Sequence, residues 1–170
     1  MNGITHIEHF IDNPAELMDQ LNLSVIWDER MGSRKTASYG KAYNYSQINY
    51  PFQPFLPELE QLIEQLIPAI GFEPNNCLIN YYSDGNSKMG YHSDQTDILV
   101  ANTGVAIVSL GETRTLKFRN ILDQQEKVDY ELKAGSLIYM TQEIQQLWQH
   151  SIPRSNTTNS RMSITFRQML

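Results

Sequence analysis

His92 and Asp94 lie two residues apart in the run Tyr91-His92-Ser93-Asp94. An extended chain puts residues i and i+2 on one face, so one strand can present an imidazole and a carboxylate to a single centre. His150 comes much later in the chain and has to be delivered by a separate strand of the same sheet system. Two imidazoles and one carboxylate on one side of an ion suit non-haem Fe(II), with the remaining positions open for reactants. His-x-Asp is a common tripeptide, and the set is weak evidence when it stands alone.

The C-terminal run Arg161-Met162-Ser163-Ile164-Thr165-Phe166-Arg167 strengthens it. Strict alternation sends Arg161, Ser163, Thr165 and Arg167 one way and Met162, Ile164 and Phe166 the other. Alternation by itself describes an ordinary half-buried strand with its polar face in water. Two guanidinium groups beside two hydroxyls also make a carboxylate-binding face, because the planar fork matches a carboxylate bidentately. A metal triad followed by an arginine-bearing strand is the equipment needed to bind Fe(II) and a keto dicarboxylic acid together.

Five motifs in order resemble the AlkB-type dioxygenases, the Fe(II)- and 2-oxoglutarate-dependent demethylases of DNA and RNA. They are Ser33-Arg34-Lys35-Thr36-Ala37-Ser38-Tyr39-Gly40, Asn80-Tyr81-Tyr82-Ser83-Asp84-Gly85, His92-Ser93-Asp94, His150-Ser151-Ile152-Pro153 and Arg161 to Arg167. The resemblance runs from about Arg30 to Arg167. It implies a mainly β fold with flanking helices: a double-stranded β-helix (jelly roll) core over about residues 77–168, with an N-terminal nucleotide-recognition lid over about 28–45. It also implies that His92, Asp94 and His150 hold Fe(II), and that 2-oxoglutarate and O2 are co-substrates. Arg161 is the expected partner of the far carboxylate of 2-oxoglutarate. Asn80 and Tyr82, two apart and so on one strand face, would add hydrogen bonds. Arg167 would organise the pocket by pairing with Asp94 or Asp97. On the substrate side the resemblance points to Arg34, Lys35, Tyr39 and Asp97, with Tyr39 stacked on a base and the two cations toward phosphates.

Two positions depart from the family pattern. Ser163 stands where Asn is usual, which changes the fine hydrogen bonding of co-substrate or base. Lys41 follows Tyr39-Gly40 where an acidic residue is expected, which weakens the likeness to the duplex-repair members. Single-stranded DNA or RNA carrying alkylated bases is therefore the expected partner, since it avoids much of the cost of extruding a base from a duplex.

Bulk properties agree with one soluble domain over residues 1–170. The chain has 170 residues, enough for a sizeable core without staples. A single cysteine, Cys77, excludes an internal disulfide framework and fits a reducing compartment. No basic segment precedes an apolar run, and no apolar run approaches membrane-spanning length, so an intracellular, soluble, monomeric protein without membrane association is expected. A net charge of −6 argues against tight non-specific duplex binding. The charge is uneven, however. Residues 30–41 hold Arg30, Arg34, Lys35 and Lys41 with no acid, and no acid follows Glu143.

Along the chain, Ile4 to Ile11 reads as a strand or loop, with His6 and His9 in surface or packing roles. Asp12 or Asn13 can cap a helix that starts at Pro14. Leu23 to Trp27 is a short strand candidate. Most of the rings from Tyr43 to Phe55 read as core, with Tyr39 set apart as the base-stacking candidate. Pro57 to Ile70 is the clearest helix, with Leu59, Leu62, Ile63, Leu66, Ile67 and Ile70 on one stripe and Gly71 placed to end it. Eight short strands follow Cys77, separated by turns such as Ser83-Asp84-Gly85-Asn86.

The activity this implies is oxidative demethylation. Decarboxylation of 2-oxoglutarate to succinate and CO2 drives hydroxylation of an N-methyl carbon, which leaves as formaldehyde. Two other readings carry less weight: the same chemistry on a small metabolite, protein or peptide, and a non-catalytic jelly-roll binding module.

Overall fold

The computed structural model describes all of residues 1–170. In chain order the elements are β1 (Ile4–Ile7), α1 (Pro14–Ser24), β2 (Lys35–Gly40), β3 (Tyr43–Tyr45), β4 (Ile48–Tyr50), α2 (Pro57–Ile70), β5 (Asn76–Tyr82) and β6 (Met89–His92). They continue with β7 (Val105–Gly111), β8 (Arg114–Asn120), β9 (Lys127–Leu132), β10 (Leu137–Met140), α3 (Gln142–Leu147), β11 (Trp148–Ile152) and β12 (Arg161–Arg167).

Two antiparallel sheets face each other. The major one has the order β1-β10-β7-β12-β5-β2, and the minor one β6-β11-β8-β9. β12 sits inside the major sheet, paired along its length with β5 and β7. All seven of its residues are buried. Its polar face turns toward the minor sheet, not to solvent, as a ligand-binding face would.

Alternation then divides the core in two. Cys77 and Ile79 of β5, Ala106, Val108 and Leu110 of β7, and Met162, Ile164 and Phe166 of β12 form one cluster. The same cluster takes Leu59, Leu62, Ile63 and Leu66 from α2 and Met18 and Leu21 from α1. The helices thus cover the outer face of the major sheet. Pro57 opens α2, and Gly71 closes it in the left-handed region at φ 85°, where a Cβ would be strained. The second cluster fills the space between the sheets with residues such as Leu78, Ile107, Leu116, Phe118 and Ile152. The outer face of the minor sheet stays polar, with the cross-strand pair Lys117–Asp129 on it.

β3 and β4 form a separate two-stranded hairpin. Its turn residues Ser46 and Gln47 have φ of 49° and 65°. The proposed strand at Leu23 to Trp27 does not form. Leu23 and Ser24 complete α1, and Ile26 projects into solvent. His6 packs edge-on against Tyr130, and His9 is exposed. No helix is long and apolar enough to cross a membrane.

Candidate active site

Three elements deliver the triad. β6 ends at His92, the loop after it carries Asp94, and β11 places His150 directly opposite His92 in the antiparallel register. Asp94 Oδ1 lies 3.2 Å from His92 Nε2 and 3.6 Å from His150 Nε2. Ligands at right angles and about 2.1 Å from one ion are about 3 Å apart, so these separations suit three donors on one side of an ion. All three ligand atoms lie within 4.8 Å of one another.

Neighbouring groups fix two of the three, while His150 Nδ1 is buried without a hydrogen-bond partner. His92 Nδ1 is 2.8 Å from the Gly90 carbonyl, which makes Nδ1 the protonated nitrogen and frees Nε2. The Asp94 backbone N–H donates to Gln145 Oε1 at 2.8 Å, and Ser93 Oγ donates to the Trp148 carbonyl. Arg167 Nη2 donates to Asp94 Oδ2 at 3.3 Å, leaving Oδ1 for the centre. Burial works against the Asp94 anion, but the His92 hydrogen bond and the Arg167 charge outweigh it and hold the carboxyl well below the usual range. Burial pushes His150 down to about 4, so this ring is neutral and able to ligate near neutral pH. For His92, burial is outweighed by Asp94 and the pKa is raised.

Next to the triad the polar face of β12 lines a narrow pocket between the sheets, with a cavity volume of about 30 Å³ and partly open to solvent. Arg161 is 1% exposed and meets no carboxylate. Its Nη2 donates to Ser109 Oγ at 2.9 Å, and its guanidinium lies 5.1 Å from the Tyr82 ring centre. Nε and Nη1 of both Arg161 and Arg167 are buried without partners. A buried cation with unused donors is costly unless an anion completes it. The donor set therefore fits a carboxylate ligand beside a divalent ion. Asn80, Tyr82 and Ser163 line the same pocket, with Ser163 opposite Asn80 and Arg161 opposite Tyr82 in register. All five residues expected on the co-substrate side are brought together.

The substrate-side expectations divide. Arg34 lies at the pocket edge but is buried, with its donors directed inward. Tyr39 is corrected outright. It is 4% exposed, pairs with Cys77 across β2 and β5, and belongs to the helix-side cluster. Lys35 shares that face, rests against the Tyr81 ring and pairs with Glu29 at 3.4 Å. The physical reason is parity: Lys35, Ala37 and Tyr39 alternate with Thr36 and Ser38 along β2, and the odd positions Ala37 and Tyr39 face the helix-side cluster. The stretch read as a lid contains an edge strand of the major sheet. Asp97 is exposed and lines neither the pocket nor the groove beside it, and Arg167 takes Asp94 as its partner.

Several residues with roles here were not anticipated. Tyr45, on the β3–β4 hairpin, lines the pocket where Tyr39 was expected, and Tyr43 lies 5.1 Å from the Arg167 guanidinium. Arg114 is 2% exposed and donates to the carbonyls of Asp84, Ser87 and Pro153, tying two loops at the Tyr82 end of the pocket. Those loops touch so closely that a Cβ on Gly85 would fall 2.0 Å from the Ser155 carbonyl oxygen. Alternation with Leu116 and Phe118 marks Arg114 as inward-facing, which is the signal that could have found it.

A jelly roll holding two histidines and an aspartate against a buried arginine strand defines a class, and residues 9–167 match the family model for the 2OG-Fe(II) oxygenase superfamily. The chain belongs to this family, which implies Fe(II), 2-oxoglutarate and O2 as the reacting partners. Within it the likeness is to AlkB-type dioxygenases. The chain is 30% identical to the rat alpha-ketoglutarate-dependent dioxygenase alkB homolog 3, covering 89% of this chain and 58% of that protein. It is 33% identical to the human DNA oxidative demethylase ALKBH2, covering 81% of this chain and 57% of that one. The chain thus spans little more than half the length of these relatives. The solved structure of OsALKBH1 superposes with a TM-score of 0.70 at 17% identity, covering 99% of both chains, which bears on the fold alone.

Proposed function

We propose that this protein is an oxidative demethylase that removes N-alkyl groups from nucleic-acid bases, with single-stranded DNA or RNA preferred. Formaldehyde, succinate and CO2 are the products, and the protein acts as a monomer. The observation that carries this reading is the position of His92, Tyr45 and Met89. They line both the enclosed pocket and an open groove whose other walls include Arg30, Met31, Ile48 and Tyr91. A co-substrate in the closed end and a planar base entering from the groove would meet at the metal ligands. Aromatic and thioether walls suit a flat ring, and Arg30, exposed at the rim and paired with Asp28, is a cation that a phosphate could meet.

In this reading Fe(II), held by His92, Asp94 and His150, supplies the oxidising chemistry when bound. Arg161 binds the far carboxylate of 2-oxoglutarate, and Asn80 and Tyr82 donate hydrogen bonds beside it. Ser163 shapes the floor between them. Arg167 keeps Asp94 ionised and aimed. Leu116, Leu132 and Ile152 on the opposite wall keep the closed end dry. The net charge of −6 favours a single strand, since little basic surface is available for a second one.

The test offers N-methylated single-stranded oligonucleotides, and the matching duplexes, with Fe(II) and 2-oxoglutarate. Formaldehyde release and the unmodified base are followed by mass spectrometry. Conversion faster on single strands supports the proposal. If no methylated oligonucleotide is converted while a small metabolite or peptide is, the substrate class is wrong and the dioxygenase chemistry stands.

A further inference from the structure

Arg34 was expected to contact phosphates, yet its side chain is buried. It is 8% exposed, and its donors reach four protein groups. Nε donates to Asn80 Oδ1 at 2.8 Å. Nη1 donates to the Lys88 carbonyl at 3.1 Å and to Ser33 Oγ at 3.0 Å, and Nη2 donates to the Tyr45 hydroxyl at 2.5 Å. The residue joins the start of β2, the hairpin ring and the chain leading into β6 to one amide in the wall of the pocket.

The chemistry of that amide gives the contact a consequence. A guanidinium only donates, so the atom of Asn80 that faces it has to be the carbonyl oxygen. The NH2 group is then turned toward the pocket that Asn80 lines, where it can donate to an anion. In the opposite orientation Asn80 would present an oxygen to a carboxylate and an N–H to a cation, both unfavourable. Across the sheet its β2 neighbour Thr36 shares its hydroxyl with the Tyr50 hydroxyl, so Arg34 is the side chain that holds the Asn80 amide.

We propose that Arg34 is a positioning residue for the co-substrate: it fixes the Asn80 amide with its donor side toward the pocket, and it is not a phosphate contact. The proposal rests on the reading of Asn80 as a co-substrate residue, and it predicts an effect through Asn80 alone.

The experiment is a double-mutant cycle on 2-oxoglutarate affinity. It is measured by calorimetry on Mn(II)-loaded protein without oligonucleotide, so no turnover is involved. Arg34→Lys keeps the buried cation but cannot reach all four partners, and Arg34→Met removes the donors. Either should raise the dissociation constant about three- to tenfold, the range of one hydrogen bond, with Mn(II) affinity unchanged. Asn80→Ala should raise it by a similar factor, and adding an Arg34 change to Asn80→Ala should raise it no further. A role in folding alone would instead persist in the Asn80→Ala background. Such additivity overturns the proposal, as does an Arg34→Lys protein with wild-type affinity. If Arg34→Met fails to fold, Arg34→Lys decides the cycle. An Asn80→Ala protein with unchanged affinity removes both the co-substrate reading of Asn80 and this proposal. Failure of the Arg34 arms alone leaves the Asn80 reading standing.

Discussion

The two faces of β12 are both buried and differ in what they bury. Toward the helices, Met162, Ile164 and Phe166 meet Leu59, Leu62 and Leu66, and no polar atom needs a partner. Toward the minor sheet, Arg161, Ser163, Thr165 and Arg167 are buried as deeply, and four guanidinium nitrogens are unpartnered. Apolar burial on the first face stabilises the fold by about 1.5–3 kcal/mol per large side chain. The second face spends stability to keep donors ready for a ligand. One strand thus serves as scaffold through its even positions and as binding site through its odd ones.

The sharpest separation comes from Asp94→Ala. Iron content and succinate release should both collapse to background while the circular dichroism spectrum is kept. An Asp94→Ala protein that makes succinate at the wild-type rate would show that the three ligands are wrongly chosen. On the other face, Tyr39→Ala removes a buried ring from the helix-side core and should lower stability by about 3–5 kcal/mol. A chemical melt measures this. Protein that remains folded should bind iron normally, and a loss of oligonucleotide turnover without a loss of stability would return Tyr39 to the substrate side.

Arg161→Lys is intermediate. It keeps the charge and loses the fork, so 2-oxoglutarate affinity should fall by about 10- to 150-fold, or about 1.5–3 kcal/mol, with iron binding retained. Unchanged affinity would shift the carboxylate anchor to Arg167. A smaller effect is expected from pH. In the metal-free protein the pKa of His92 is raised from 6.5 because Asp94 outweighs burial, whereas His150 is held at about 4. Metal uptake therefore displaces one proton, from His92. Below the raised pKa, apparent affinity should fall about tenfold per pH unit, and above it the curve should flatten. A metal titration at several pH values reads the slope, and a slope of two protons near neutral would show that His150 is protonated as well. Smallest of all is Lys35→Ala. This exposed pair with Glu29 should be worth less than about 1 kcal/mol in a melt, and the salt dependence of oligonucleotide binding should be unchanged.

The features legible in the sequence are those decided within one element. The polar and apolar sides of β12 follow from strand period alone, and α2 follows from its stripe and its Pro57 and Gly71 boundaries. The triad was legible because few residue types bind iron, and register then set His150 opposite His92. Tyr39 was misplaced because its stretch was read as a lid, where parity does not apply, although it lies in a paired strand. Arg114 is hard to single out in the sequence, because an isolated arginine in a strand usually faces water. Only the closed loops around it show three carbonyls waiting for its donors. α3 has six residues, too few for a periodic signal. Tyr45 was grouped with the core rings, and nothing local distinguishes a ring over a pocket from one inside a core.

The central place of β12 also constrains how the molecule is made. The nearer of its two partners, β7, ends at Gly111, and β12 begins only at Arg161. The major sheet cannot zip up hairpin by hairpin from β5 onward, because the strand between β5 and β7 is supplied after every other strand has been synthesised. Until then each of those two strands has an open edge, with the apolar residues of α2's docking surface beside it. Such long-range pairing is the kind that slows folding. β12 closes both edges, completes the helix-side core and carries both arginines, so the strand that completes the fold is also the one that equips the pocket.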